Sequence, residues 1–469
     1  MRNRFVRILT AIGALALVAL PVEANGQSAL DMSSSSAPHL VTPVLSARRV
    51  PDFLRTRVAD EALNQSITQL LRDAPASTCV VVSDNGRILV RVNGDLPLVP
   101  ASTNKLLTAN AVLDRLGPQS RLATVVRASR PPGPDGVVDG DLFLVGGGDP
   151  LLFTEGFRVT LKDRNQPQTD FAQLADRIKA AGITEIRGNI VADDSRYDSL
   201  RNVPSWPPSY QKEGAVGALS ALEVNRGETG LSADPDKPAK IRRLGDPPTL
   251  GAEPLASLLR QRGVKVTGRP VAGTAPEQAI EIARLESLPL KDLVAEMLTW
   301  SDNTTAELLT KELGLQAVGE GSTSAGTEVI RANTIAEGLP EHGLSIVDGS
   351  GLDRGNRLTC DLLVALLDHE GSDSLLAQGL AVAGRSGTLR TRFRGSPAEG
   401  RVRAKTGTLS DVHALAGYVD ASDGTQLTFA VILNGQIAAD RPIEDEIAQV
   451  FIGYPEAPAA SALGPKPPT

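Results

Sequence analysis

Three short clusters in this chain carry residue types that could do chemistry together. In Ser102-Thr-Asn-Lys105 a hydroxyl and an amine stand three positions apart. On a helix that spacing puts both on one face, about a turn apart. A serine hydroxyl is a weak nucleophile until a base takes its proton. Lys105 can act as that base only when neutral, and a nearby cation such as Lys405, together with partial burial, would lower its pKa in the needed direction. A helix start also aims backbone N–H groups at Ser102, which suits a developing oxyanion. In Ser301-Asp302-Asn303, the serine could relay a proton between Ser102 and a leaving amine. Asn303 could bind a substrate amide, while Asp302 could cap the helix that follows. Lys405-Thr406-Gly407-Thr408 offers a cation and two hydroxyls to a carboxylate. Its glycine lets another backbone approach the strand. A substrate with a free C-terminal carboxylate, added along this strand, fits those groups, and the Thr408 N–H would be a second oxyanion donor.

Taken singly, the first two clusters are weak signals. Ser209-Tyr-Gln-Lys212 repeats the first pattern in a Pro-rich loop, and Ser83-Asp84-Asn85 repeats the second at a turn. Each residue also has a plain structural reading: a helix cap, a solvated lysine, loop capping, an ordinary edge strand. What separates the set from coincidence is order and context, namely a helix start, then an interhelical loop, then a strand near the end. The order serine-x-x-lysine, Ser-Asp-Asn, Lys-Thr-Gly is the signature of penicillin-binding proteins and β-lactamases.

The elements that must position these residues follow from periodicity. Segment 52–72 reads as a helix, and strands at 79–83 and 87–92 flank Asn85-Gly86, a hairpin signal because both turn residues accept positive φ. A helix over 103–116 puts Leu106, Ala109, Leu113 and Leu116 on one face and stops at Gly117-Pro118. Short β-like runs at 123–128, 140–145, 189–192 and 264–267 then alternate with Pro/Gly-rich turns. Leu290, Leu293, Val294, Met297 and Leu298 begin a helical stretch, with further helices at 304–314, 324–337 and 359–370. Strands at 400–406, 412–419 and 426–433 precede a helix over 441–451.

The expected architecture is therefore α/β: an antiparallel sheet flanked by helices, with an inserted, mostly β region. The late strands would pair with the early hairpin. The expected boundaries are a first part at 51–122, the insert at 123–285, a second part at 286–453 and a disordered Pro/Ala-rich tail at 454–469.

Composition excludes several classes. The chain has 469 residues, 41% hydrophobic and 22% charged, enough for a large core and two or three domains. A net charge of −7 gives no basic footprint, so no nucleic-acid partner is expected. Arg2, Arg4 and Arg7 precede an apolar run at 8–20, and Val22-Glu23-Ala24 follows. That reads as a secretory signal over 1–24, then a flexible lead-in over 25–50, with no transmembrane anchor after cleavage and a periplasmic destination. Cys79 and Cys360 are either a disulfide or two buried thiols. The His and Cys residues lack ligand spacing, so neither metal nor cofactor is expected. Gly146-Gly-Gly148 reads as a turn, not a phosphate loop, Asp193-Asp194 as a surface turn, and no G-x-S-x-G elbow occurs.

The chain resembles the D-alanyl-D-alanine carboxypeptidase/endopeptidase family, the class C low-molecular-mass penicillin-binding proteins, from about residue 50 to 453. Besides the three motifs, the resemblance rests on Leu144-Val-Gly-Gly-Gly-Asp-Pro150, Val191-Ala-Asp-Asp-Ser-Arg-Tyr-Asp198, Asp348-Gly-Ser-Gly-Leu-Asp-Arg354, Gly387-Thr-Leu389 and Arg401-Val-Arg-Ala-Lys-Thr-Gly-Thr-Leu-Ser410. It implies a transpeptidase-like, serine β-lactamase-like fold. It also implies a serine peptidase acting on D-Ala–D-Ala, and in some members D-Ala–diaminopimelate, bonds of peptidoglycan stem peptides. β-Lactams would be inhibitors that acylate the same serine. Catalytic roles would fall on Ser102, Lys105 and Ser301, and substrate binding on Asn303, Lys405, Thr406, Thr408 and Arg354. Asp411, where the family carries a small residue, and His413 depart from the pattern and bear on side-chain preference. Two other functions compete, a β-lactamase and a non-catalytic cell-wall scaffold.

Overall fold

The computed structural model describes residues 46–161, 163, 165–229, 242–243, 247–436 and 442–465. The expected signal segment and most of the lead-in lie outside the described residues. Among the described residues no helix is long and apolar enough to cross a membrane.

Six strands form the central sheet: β1 (Ser77–Asp84), β2 (Arg87–Val92), β3 (Ala381–Val382), β4 (Val402–Leu409), β5 (Val412–Asp420) and β6 (Gln426–Asn434). Their spatial order is β3-β4-β5-β6-β1-β2, and every pair is antiparallel. The early hairpin thus joins the late strands as expected, with Val81 opposite Ala430. Asn85 and Gly86 turn that hairpin at φ of 49° and 81°.

Side chains alternate between two cores, because successive residues of a strand face opposite ways. Cys79, Val81, Ala414, Ala416 and Ile432 meet helices α2 (Lys105–Arg115), α3 (Leu290–Trp300), α4 (Asn303–Val318), α5 (Thr323–Ala336) and α6 (Cys360–Glu370). Val80, Val82, Leu415 and Val431 meet α1 (Pro51–Leu70) and α7 (Ile443–Ile452). Both faces are covered, which explains why these strands read as nearly continuous apolar runs.

Between Ala123 and Glu286 the chain builds a separate five-stranded sheet with its own apolar core. Strands Leu142–Val145, Ile190–Asp193 and Pro270–Ala272 run parallel, while Ala123–Ala128 pairs antiparallel with its neighbours. Besides its strands this region has helices Ala172–Ala180 and Pro247–Gln261, which its Pro/Gly-rich sequence did not suggest. Parallel neighbours need a crossover, and Ala172–Ala180 supplies one, burying Leu174, Ala175 and Ile178. Pro247 and Pro248 stand in the first turn of the second helix, where a missing N–H is tolerated.

Two further findings concern the thiols and the tail. Cys79 and Cys360 form a disulfide between β1 and the start of α6. Part of the expected disordered tail has defined structure: Ala457 packs on the second core and Ala460–Leu463 is a helical turn. Composition suggested disorder, but α1 offers these residues a surface to pack on.

Candidate active site

Ser102 lies in a tight turn, Ala101–Asn104, that runs directly into α2. Ala101, just before it, is fully buried with φ of 47°. A left-handed backbone is strained for a residue with a Cβ, and persists only where packing imposes it. Here two distant glycines make room. A Cβ on Gly407 would stand 2.7 Å from Pro100 O, and one on Gly351 would stand 1.9 Å from Ala101 O. The glycine of Lys-Thr-Gly therefore admits the protein's own serine-bearing backbone against β4.

Lys105 follows one turn later and is fully buried. Its Nζ donates to Ser102 Oγ (2.9 Å), Asn303 Oδ1 (2.6 Å) and Ser350 O (2.6 Å). Burial pulls its pKa down to about 8, against the opposing pull of Asp348, Glu307 and Asp302. Of the two causes expected from sequence, burial is the leading one. Lys405 is itself fully buried and donates to Thr406 O at 2.8 Å. Its pKa is pushed well below the ordinary lysine value by burial, with the charge of Lys105 adding to the effect.

The Ser-Asp-Asn segment is the junction of α3 and α4. Ser301 terminates α3 in a left-handed conformation, φ 61°. Asp302 caps α4 by accepting from Thr305 N at 2.7 Å. It also pairs with Arg226 at 2.5 Å. Asn303 donates from Nδ2 to Ala215 O at 2.7 Å, so one amide bridges Lys105 and the insert.

These elements enclose a cleft of about 720 Å³ lined by Ser102, Ser301, Asn303, Thr406, Thr408 and Arg354. Thr406 Oγ1 bonds Thr388 Oγ1 at 2.9 Å, while Thr408 is exposed to the cleft. Arg354 sits at the rim, donating to Ser410 Oγ at 2.7 Å and pairing with Asp411. All eight residues singled out from sequence thus converge, six on the cleft wall and the two lysines buried against their neighbours.

Several residues that shape the site had no role in the sequence reading. Asp348 is buried and accepts from Gly351 N, Asp353 N, Trp206 Nε1 and Asn356 Nδ2 at 2.6–2.9 Å. That network shapes the loop whose Ser350 carbonyl receives Lys105. Glu307 receives Ser350 N at 2.7 Å, and burial pushes its carboxyl up to about 8. The Asp348 segment is recognisable as a motif, but Trp206 and Ala215 come from the insert and carry no spacing signal.

The chain matches the D-Ala-D-Ala carboxypeptidase 3 (S13) family over residues 60–251 and 240–452. It is 31% identical to a D-alanyl-D-alanine carboxypeptidase of an Actinomadura species, over 84% of this chain and 85% of that one. Carboxypeptidase DacB of Mycolicibacterium smegmatis is 31% identical over 79% of this chain and 78% of its own length. The solved structure of penicillin binding protein 4 (dacB) from Haemophilus influenzae aligns with a TM-score of 0.68, covering 82% of this chain and 97% of that one at 22% identity. That alignment shows the same α/β fold.

Proposed function

This chain belongs to the D-Ala-D-Ala carboxypeptidase 3 (S13) family, and we propose that it hydrolyses the terminal D-Ala–D-Ala bond of peptidoglycan stem peptides through an acyl-enzyme on Ser102. The observation that carries this reading is the 2.9 Å hydrogen bond between Ser102 Oγ and a fully buried Lys105 whose pKa is drawn down to about 8.

In the neutral form Lys105 accepts the Ser102 proton as Oγ attacks the D-alanyl carbonyl. The backbone N–H groups of Ser102 and Thr408 receive the oxyanion. Thr406 and Thr408 hold the C-terminal carboxylate, and Lys405 behind the strand contributes positive potential when protonated. Ser301 passes the proton to the leaving amine, the C–N bond breaks and D-Ala departs. Water then attacks the ester, adding its hydroxide to the acyl carbon and returning a proton to Ser102. Asn303 holds Lys105 from one side and the substrate amide from the other.

A β-lactam presents a strained amide to the same serine, so it would acylate Ser102. A structure of the Haemophilus influenzae relative complexed with a novel beta-lactam supports that reading. Peptidoglycan as substrate supports an exported, periplasmic location. Cleavage of D-Ala–diaminopimelate cross-links would use the same steps with a larger leaving group.

Fluorescent penicillin labelling with mass mapping, on wild type and Ser102→Ala, tests the proposal. A stable adduct on the Ser102 peptide that vanishes in the variant is the expected result. No adduct on folded protein would instead favour a scaffold, and rapid drug turnover a β-lactamase.

A further inference from the structure

Three charged side chains line the cleft that holds Ser102: Glu213, Arg354 and Arg392. Arg354 is engaged at the rim by Asp411 and Ser410. Lys405 is fully buried, donates to Thr406 O at 2.8 Å and has its pKa pushed well below the ordinary lysine value by burial. Arg392 is a permanent cation, because a guanidinium keeps its proton where a buried lysine loses it.

Two sets of contacts place Arg392 at the hydroxyl pair of β4. On one side, Thr388 lines the cleft four residues before it and bonds Thr406 Oγ1 through its own Oγ1 at 2.9 Å. The turn carrying Thr388 is fixed: Gly387, at φ 54°, lies so close to α3 that a Cβ there would stand 2.1 Å from Thr299 O. On the other side, Thr408 is paired across the strands with His413, whose Nδ1 lies 3.5 Å from Glu444 Oε1. That same oxygen accepts from Arg392 Nη2 at 3.2 Å.

The guanidinium is held from behind. Its Nε donates to Asp445 Oδ2 at 2.9 Å, and its Nη2 also bonds Asp445 Oδ1. The Glu444 and Asp445 side chains are 4% and 11% exposed against 24% for Arg392, and of the three only the arginine lines the cleft. A ligand there meets the cation before the carboxylates behind it. Both carboxylates stand in the first turn of α7, where the helix N-terminus offsets part of their charge. Nη1 has no hydrogen-bond partner among the described residues, so two N–H donors remain for a ligand.

Resting on the acyl-enzyme reading above, we infer that Arg392 is a specificity-determining residue: beside Thr406 and Thr408, it supplies the fixed positive charge that selects a free carboxylate on the peptide or β-lactam. Glu444 and Asp445 are positioning residues that aim it. A carboxylate gains a charge-assisted hydrogen bond from the guanidinium, whereas an uncharged ester in the same place does not.

The test measures second-order acylation of the full chain by benzylpenicillin and by its methyl ester, followed by intact mass. Wild type is expected to favour the free acid by about tenfold or more, and Arg392→Gln to lose about that factor on the acid while the ester changes less than about twofold. Arg392→Lys, which keeps a charge without the planar fork, should recover part of the preference. Arg392→Gln alone leaves two buried carboxylates without their cation, so the triple variant with Glu444→Gln and Asp445→Asn repeats the measurement in a neutral setting. Equal losses on acid and ester in both variants would mean a structural role and overturn the inference. An undiminished preference for the acid in either folded variant, or no preference in wild type, would overturn it too and leave the acyl-enzyme reading standing. No adduct on Ser102 from either compound would overturn both.

Discussion

Arg226 Nη2 and Asp302 Oδ2 lie 2.5 Å apart, and this pair fastens the insert to the loop that carries Ser301 and Asn303. Glu296 is 3.6 Å from the same guanidinium, which also sits 5.5 Å from the centroid of Phe153. Burial pushes the Glu296 carboxyl up to about 8, with Asp302 adding and Arg226 opposing. Removing one partner of a largely buried charge pair typically costs about 3–5 kcal/mol. Arg226→Ala should therefore lower the urea midpoint and slow penicillin acylation, because Asp302 loses the cation that positions it. Arg226→Lys, which keeps the charge without the planar fork, should fall between. Acylation at the wild-type rate in folded Arg226→Ala would refute this coupling.

Acylation should rise with pH. Lys105 must shed a proton to act as a base, and its pKa is about 8. Below that value the neutral fraction falls about tenfold per pH unit, and above it the rate should level off. Lys105→Ala should lose about 10²–10⁴-fold in acylation rate, the range for a general base. The same shift has a consequence for stability. Between about 8 and the ordinary value of 10.5 the unfolded chain binds a proton that the folded one does not. Stability from this group should therefore rise with pH across that window. A flat pH–rate profile from 6 to 9, measured under single-turnover conditions, would remove Lys105 from the role.

The Cys79–Cys360 disulfide spans a sequence separation of 281 residues and is buried in the core beside the site. Closing so long a loop restricts the unfolded chain, and losing such a bridge typically costs about 2–5 kcal/mol. Replacing both cysteines with alanine should lower the denaturation midpoint by that order. Acylation at low temperature should survive, since neither sulfur lines the cleft. An unchanged midpoint in oxidised and reduced protein would contradict this.

Arg354 and Asp411 face each other at the rim of the cleft, about half and a third exposed. The carboxylate holds the guanidinium that would otherwise reach a substrate side chain, and the Asp411 pKa is lowered by that contact. Exposed pairs are weak, on the order of 1 kcal/mol or less. Asp411→Gly should thus change KM by about fivefold or less for peptides bearing a side-chain carboxylate, strengthening their binding. Penicillin acylation should move less than twofold. Weaker binding of those peptides would mean that Asp411, not Arg354, makes the useful contact.

Much of the site was legible because its chemistry dictates local spacing. A nucleophile and its base must share a helix face, which fixes Ser102 and Lys105 three residues apart. Asn85-Gly86 and the β-rich late runs announced the sheet in the same way. Other contributors left no such trace. Ser350 and Ala215 act through backbone carbonyls, which any residue possesses. Asp348 opens a recognisable motif and Glu307 lies within a helical stretch, but neither pattern says that the carboxylate is buried. Thr388 stands in a turn recognisable as a motif but silent about its hydrogen bond to Thr406.

By itself, then, the sequence determined the reactive groups, the order of the motifs and the β-rich runs of the central strands. Each depends on neighbours a few positions apart, where bond geometry and helical or strand period leave little choice. Only the tertiary structure decided how low the lysine pKa values fall, which glycines admit the strained turn before Ser102, and that the two cysteines meet. Those properties arise from desolvation and close contact between segments far apart in the chain, and neither has a period that local sequence can display.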